Sequence, residues 1–218
     1  MNFEIDGNPD YGQLTVRLNP GETFIAESGA MAWMDSGLDV KARLLGGFLP
    51  ALIRKLTGGE SLFVGEYTAD RGGSVTFSPS RPGMVVQRTL SGGSITLTAG
   101  SFMACAPGIE LKTRFGGLRS LFSGEGLFFV ECSGNGELFF NSFGGIVEKD
   151  VDGSFVVDTS HVVAWDPGLT YGIRGMGNIK STLLSGEGLA MEFSGRGKLY
   201  LQTRTLGGAA SWLTPFVG

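Results

Sequence analysis

Histidine occurs once in this 218-residue sequence and cysteine twice, and that scarcity removes several chemistries at the outset. A protein-bound transition metal of the His-cluster type needs several imidazoles with a carboxylate, and His161 stands alone. Ser-His-Asp hydrolysis needs a serine in a strained nucleophile turn close to that histidine. No Gly-x-Ser-x-Gly supplies one, and Ser91-Gly92-Gly93-Ser94 reads as a turn. His161, between Ser160 and Val162-Val163, reads as a hydrogen-bonded residue at a strand end. Cys105 and Cys132 lack a paired spacing and lie in apolar strand candidates, where burial raises a thiol's pKa. They are expected to be buried free thiols, neither a disulfide nor half of a Cys-His pair. The nearest approach to a phosphate loop, Gly116-Gly117, runs into Leu118-Arg119 where a Lys followed by Ser or Thr would be needed. No catalytic residue, cofactor or metal is therefore expected, and the chain does not read as an enzyme.

Charge is also sparse. Only 17% of residues are charged and the net charge is -4, so there is no overall attraction to a phosphate backbone and nucleic acid is not an expected partner. No window reaches the roughly 20 apolar residues of a spanning helix; a role on a membrane surface stays open. The start, Met1-Asn2-Phe3-Glu4-Ile5-Asp6, lacks the basic and apolar regions of a signal peptide, and a cytoplasmic chain is expected. The length suits one all-β domain, residues 1–218, which can bury roughly 70% of its unfolded surface. Glycine, at 37 positions, clusters between apolar runs.

What is present is an internal repeat. Gly59-Glu60-Ser61-Leu62-Phe63 returns as Gly124-Glu125-Gly126-Leu127-Phe128 and as Gly186-Glu187-Gly188-Leu189-Ala190. Each is followed by an apolar strand candidate and a glycine-rich segment: Asp70-Arg71-Gly72-Gly73, Ser133-Gly134-Asn135-Gly136 and Ser194-Gly195-Arg196-Gly197. These read as hairpin turns, with Asn135-Gly136 suited to a two-residue type I′ turn, and strands such as Glu137-Leu138-Phe139-Phe140 return from them. Upstream, Met31-Ala32-Trp33-Met34-Asp35-Ser36-Gly37-Leu38 recurs from Phe102 to Ile109 and from Val162 to Leu169, each a strand ending in a glycine turn. The repeats span approximately 1–82, 83–146 and 147–206, with an apolar tail at 207–218. Three short sheets in series would leave many unpaired edges, so closure about a pseudo-threefold axis, as a barrel or β-helix-like ring, is the expected architecture.

These motifs, with Glu27-Ser28-Gly29-Ala30-Met31 and Trp33-Met34, resemble a prokaryotic family related to the fungal altered-inheritance-of-mitochondria protein twenty-four, a mitochondrial-biogenesis protein. The resemblance covers nearly the whole chain. It implies a threefold-repeated, double-stranded β-helix-like fold reminiscent of the ring-forming tryptophan-RNA-binding attenuation protein, without implying RNA binding. It carries no catalytic residue over.

Two further features concern function. Glu60, Glu125 and Glu187 could form a ring of carboxylates near an axis, or could anchor their turns by accepting backbone N–H bonds. Each copy also carries an insert, at 38–58, 109–123 and 169–185. Leu49, Leu52, Ile53 and Leu56 have helical spacing with Arg54 and Lys55 opposite, after Pro50; Leu118 and Phe122 flank Arg119, and Lys180 stands beside Leu183. The inserts carry a net charge of +7 against -11 for the rest of the chain. Emerging at one end, they would make a basic, apolar surface able to cap a barrel, contact a partner or a second copy, or meet an anionic membrane. A self-associating, non-catalytic scaffold is the leading expectation. The alternatives are a barrel for a small apolar ligand, lined by Phe128, Phe129, Phe139 and Phe140, and a peripheral membrane protein.

Overall fold

The computed structural model describes residues 1–44, 63–115, 128–175 and 189–217. Apart from short 3-10 turns and one short C-terminal helix, the described residues are all-β. The order is β1 (Asn2–Asp6), β2 (Gln13–Leu18), β3 (Glu22–Glu27), β4 (Met31–Met34), β5 (Leu38–Leu44), β6 (Phe63–Ala69), β7 (Gly73–Phe77), β8 (Val85–Thr98), β9 (Phe102–Cys105), β10 (Ile109–Phe115), β11 (Phe128–Asn141), β12 (Ile146–Asp158), β13 (Val162–Trp165), β14 (Leu169–Gly175), β15 (Leu189–Gln202) and α1 (Leu206–Leu213).

Strands β8 to β11 form one pairing unit. β11 pairs with β8 along its length, with β10 over its first half and with β9 over its second. Strands β12 to β15 make the same pairings, with β15 at the centre. In the first unit both long strands are interrupted. β2 and β3 are separated at Asn19-Pro20-Gly21, where proline lacks the donor a ladder needs, and β6 and β7 at Asp70-Arg71-Gly72. β3 then pairs with β6 and β5 with β6, while β7 pairs with β2 and β4.

Successive units are joined by short ladders. β9 adds to β3 through Ala104↔Ala26 and Cys105↔Ile25, and β13 adds to β8 through Ala164↔Leu97 and Trp165↔Thr96. The result is one sheet in the order β12-β15-β13-β8-β11-β9-β3-β6-β5, with β10 and β14 branching from β11 and β15, and a second in the order β1-β2-β7-β4. Both paths are open. The expected closure into a barrel or ring is not made among the described residues, because β4 and β12 end their sheets unpaired on one side.

The expected hairpin reversals are also corrected. Ser133-Gly134-Asn135-Gly136 lies inside β11 and Ser194-Gly195-Arg196-Gly197 inside β15, and both strands run straight on. A type I′ turn needs positive φ at both central residues, and among the described residues, Asn135 included, no non-glycine residue has one. Ser91-Gly92-Gly93-Ser94 is likewise within β8, opposite the bulge at Gly134/Asn135. The actual reversals are Asp35-Ser36-Gly37-Leu38, Ala106-Pro107-Gly108-Ile109 and Asp166-Pro167-Gly168-Leu169, each closed by a bond from its fourth N–H to its first carbonyl. Proline at the second position suits that turn.

Alternating strand positions bury their side chains in connected cores. Leu14, Val16, Phe24, Tyr67, Val75 and Phe77 of the first unit pack with Met103, Ala104 and Phe139 of the second. Ile95, Leu97, Val130, Cys132 and Leu138 of the second pack with Val163, Ala164 and Tyr200 of the third. Phe129 of the second joins Trp165, Met191, Phe193 and Leu199 of the third.

Candidate functional site

The residues proposed from sequence as an interaction surface, Leu49, Leu52, Ile53, Arg54, Lys55, Leu118, Arg119, Phe122, Lys180 and Leu183, lie outside the described residues, as do Glu60, Glu125 and Glu187. The flanks of the three inserts are described, and they are strands: β5, β10 and β14 occupy residues expected to begin the inserts. Each pairs back onto the strand that follows the insert.

These three hairpins share one side-chain device. Arg43 of β5 pairs with Glu66 of β6 at 3.2 Å, Arg114 of β10 pairs with Glu131 of β11, and Arg174 of β14 pairs with Glu192 of β15 at 3.3 Å. In each case the arginine is the fifth residue after Leu38, Ile109 or Leu169 and reaches diagonally across the ladder, the geometry that lets long opposite charges meet. Lys112 pairs with Glu110. The basic character expected of the inserts is thus offset in their described parts by glutamates on the returning strands. The sequence carried this signal at Glu66, Glu131 and Glu192, just beyond the segments whose charge was counted. Because these pairs are largely exposed, each contributes only about 0–1 kcal/mol. Arg174→Ala should accordingly leave the thermal unfolding midpoint nearly unchanged, and a large drop in a melting experiment would contradict the exposed geometry.

Beneath the first hairpin lies a cleft of about 650 Å³ between β3, β5 and β6 on one side and the β9–β10 turn on the other. Ile25, Ile109 and Leu111 supply apolar walls, and the Arg43–Glu66 pair with Glu110 supplies charge. Its charges are partnered, Arg43 with Glu66 and Glu110 with Lys112. Among the described residues no group of three or more His, Cys, Asp or Glu comes together to hold a metal.

The thiols are buried and free, as expected. Burial pushes Cys105 up to about 12, and Cys132 is raised by burial first and then by neighbouring Cys105 and Glu131. Neither is poised as a thiolate. His161 ends a 3-10 turn directly before β13 and its Nδ1 donates to the Gln202 carbonyl at 2.7 Å, the hydrogen-bonded strand-end role read from sequence. Phe129, Phe139 and Phe140 belong to three separate core groups and do not line a common pocket. A half-buried clip joins the second and third units: Arg88 of β8 pairs with Asp166 at 2.7 Å and donates to the Tyr200 hydroxyl at 2.9 Å. Asp166 also accepts from the Lys198 N–H.

A second exposed apolar feature is the C-terminal segment, with Leu206, Trp212, Leu213, Phe216 and Val217 exposed. Thr205 caps α1 through the Gly208 N–H, and the helix with the turn after it buries none of its residues. Trp212 is 69% and Phe216 75% exposed, their rings 5.8 Å apart. No helix of the described residues is long and apolar enough to cross a membrane.

Comparison with known proteins agrees with the fold. A family model described as mitochondrial biogenesis AIM24 matches residues 3–204. An uncharacterized protein of Streptococcus pyogenes serotype M6 is 29% identical over 215 residues, covering 94% of this chain and 87% of the relative. The crystal structure of a Streptococcus pyogenes protein superposes with a TM-score of 0.84 at 28% identity, covering 99% of both chains.

Proposed function

The chain belongs to the mitochondrial biogenesis AIM24 family, and on that premise we propose that it works as a non-catalytic scaffold that associates with itself. The observation that carries this reading is the C-terminal segment: Leu206, Trp212, Leu213, Phe216 and Val217 are all exposed within twelve residues of one another. A contiguous exposed apolar patch marks a contact surface. The partnered charges of the cleft, the raised thiols and the committed His161 support a binding role over catalysis.

The finer architecture forms part of this proposal. Three diverged copies of one strand unit, double-stranded and β-helix-like in character, account for the shared pairings of the second and third units and for the three Arg–Glu devices. The first copy departs from the others at the breaks between β2 and β3 and between β6 and β7.

Light scattering of the full chain over a concentration series tests the reading. A mass above the monomer, reduced when Trp212 and Phe216 are replaced by serine, is expected. A monomer throughout would end it. The membrane-surface alternative is read in the same samples by flotation with anionic and neutral vesicles. Salt-sensitive flotation on anionic vesicles, lost when Arg54, Lys55 and Arg119 become glutamate, would put the membrane-surface reading in place of self-association.

A further inference from the structure

Of the four edges that end the two sheet paths, those at β1 and β5 are guarded by charge. Glu4 and Asp6 stud β1, with Glu4 paired to Arg17 of β2 at 3.0 Å. β5 carries Asp39, Lys41 and Arg43. Charge on an edge discourages another strand from adding to it. β4 has no charged residue: it reads Met31-Ala32-Trp33-Met34, with Trp33 57% exposed. β12 is guarded over its first half by Glu148, Lys149, Asp150 and Asp152 and ends on Asp158, whose carboxylate accepts from the Ser160 N–H and hydroxyl, but Gly153-Ser154-Phe155-Val156-Val157 between them is uncharged and Val156 is 37% exposed. Among the described residues no strand pairs with the outer side of either.

These two bare stretches are the halves of a joint that the chain makes twice internally. On the receiving side, Ile25, Thr96 and Val156 are the residues opposite Glu66, Glu131 and Glu192. On the adding side, Met34, Cys105 and Trp165 are opposite Val75, Leu138 and Leu199, each just beyond a register shift in its own ladder. β9 joins β3 by setting Cys105 against Ile25, and β13 joins β8 by setting Trp165 against Thr96. The third combination, Met34 against Val156 and Trp33 against Val157, is the one not made.

We propose that β4 of one copy adds to the uncharged stretch Gly153-Ser154-Phe155-Val156-Val157 of β12 of a second copy, with Trp33 facing Val157 and Met34 facing Val156. The inference rests on the self-association reading and gives it a second contact surface, apart from the C-terminal segment. The occupant is a second copy because the edge presented at one end of the array is matched in register and in its lack of charge by the edge at the other. The new ladder would continue β14-β15-β12 into β4-β7-β2-β1, as the internal joints continue one unit into the next. Such a contact is head-to-tail, so each copy uses both edges and the assembly is a ring or a growing filament.

The test co-expresses two single variants, W33C and V157C, and treats the purified protein with a short thiol-to-thiol cross-linker. Cys105 and Cys132 are fully buried and serve as silent background. A cross-linked dimer is expected only when both variants are present. Dimer from W33C alone would mean β4 meets β4, and no dimer in the mixture would mean the edges do not meet; either overturns the proposal. W33K and V156K provide the second measurement. Each should weaken assembly at least tenfold by light scattering, since a charge now guards the edge, while the melting temperature of the monomer stays put. If the unaltered chain assembles but these variants assemble equally well, the edge inference fails and self-association stands. If the unaltered chain is monomeric at every concentration, both fail.

Discussion

Gly195→Ala will deprive the chain of most of its stability, whereas Gly153→Ala, on the strand directly opposite, will be tolerated. Gly195 lies mid-strand in β15 at φ +123, and a Cβ built there would sit 2.3 Å from the backbone carbonyl oxygen of Gly168. Gly168 has the reciprocal restriction, with the Arg196 carbonyl 2.3 Å from its own Cβ position. The two backbones touch because the β13–β14 turn docks against β15, with the Arg196 N–H donating to the Gly168 carbonyl. A methyl group there meets backbone, which cannot rotate away, and adds to the strain of positive φ. A loss above about 4 kcal/mol is expected, a large part of the 5–15 kcal/mol typical of a whole domain. Gly153 is also at positive φ, +111, but nothing lies within 4 Å of its Cβ position, so only the backbone strain of about 1–3 kcal/mol applies. Urea unfolding of both variants checks the contrast. Equal midpoints would mean that the close approach, and not φ alone, has been misjudged.

That contrast also explains where the sequence could be read and where it misled. The strand with its glycine-ended turn, at Met31–Leu38, Phe102–Ile109 and Val162–Leu169, was legible because alternation and turn chemistry are local. The reversals at Pro107-Gly108 and Pro167-Gly168 follow from those residues alone. Gly134, Gly136, Gly195 and Gly197 were misread as hairpin turns for the same reason. A glycine inside an apolar strand can mark a reversal or a place where another segment packs close, and that segment is distant in sequence: the Gly108 and Gly168 backbones against Gly134 and Gly195, and side chains of Ala106, Ile109, Asp166 and Leu169 against Gly136 and Gly197. Two 14-residue strands therefore looked like four short ones. The ring closure anticipated from three units is likewise non-local: the first two joints use small or fitting residues at Ala104 and Ala164, while the equivalent position in the first unit is Trp33. Of the candidate site, the Arg–Glu pairs were written in the spacing of both partners. They were missed because the charge was summed along the inserts and not across the ladders.

Phe139→Ala should lower stability by about 3–5 kcal/mol, the range for emptying a buried aromatic site, and should do so in one transition for the whole domain. Phe139 belongs to β11 of the second unit, yet it is fully buried among first-unit side chains. Its ring lies 5.0 Å from Phe3 and 6.0 Å from Phe24, the latter edge-on at 67°. Phe24 in turn lies 6.0 Å from Phe77, whose ring meets Tyr67 edge-on at 5.0 Å. One side chain thus closes an aromatic core to which β1, β3, β6 and β7 contribute, and such ring pairs add to the area they bury. At this chain length each kcal/mol corresponds to roughly 2–4 °C in melting temperature, so a drop of about 10 °C is expected. Calorimetry decides how far the units depend on each other. If each unit folded by itself, Phe139→Ala would split the trace, with a destabilised portion melting ahead of an unaltered remainder. The shared cores argue for a single shifted peak: the first unit is completed by Met103, Ala104 and Phe139, and the second by Val163, Ala164 and Tyr200. No unit then has a finished interior of its own, and removing the ring that completes the first loosens the base on which the second and third are built.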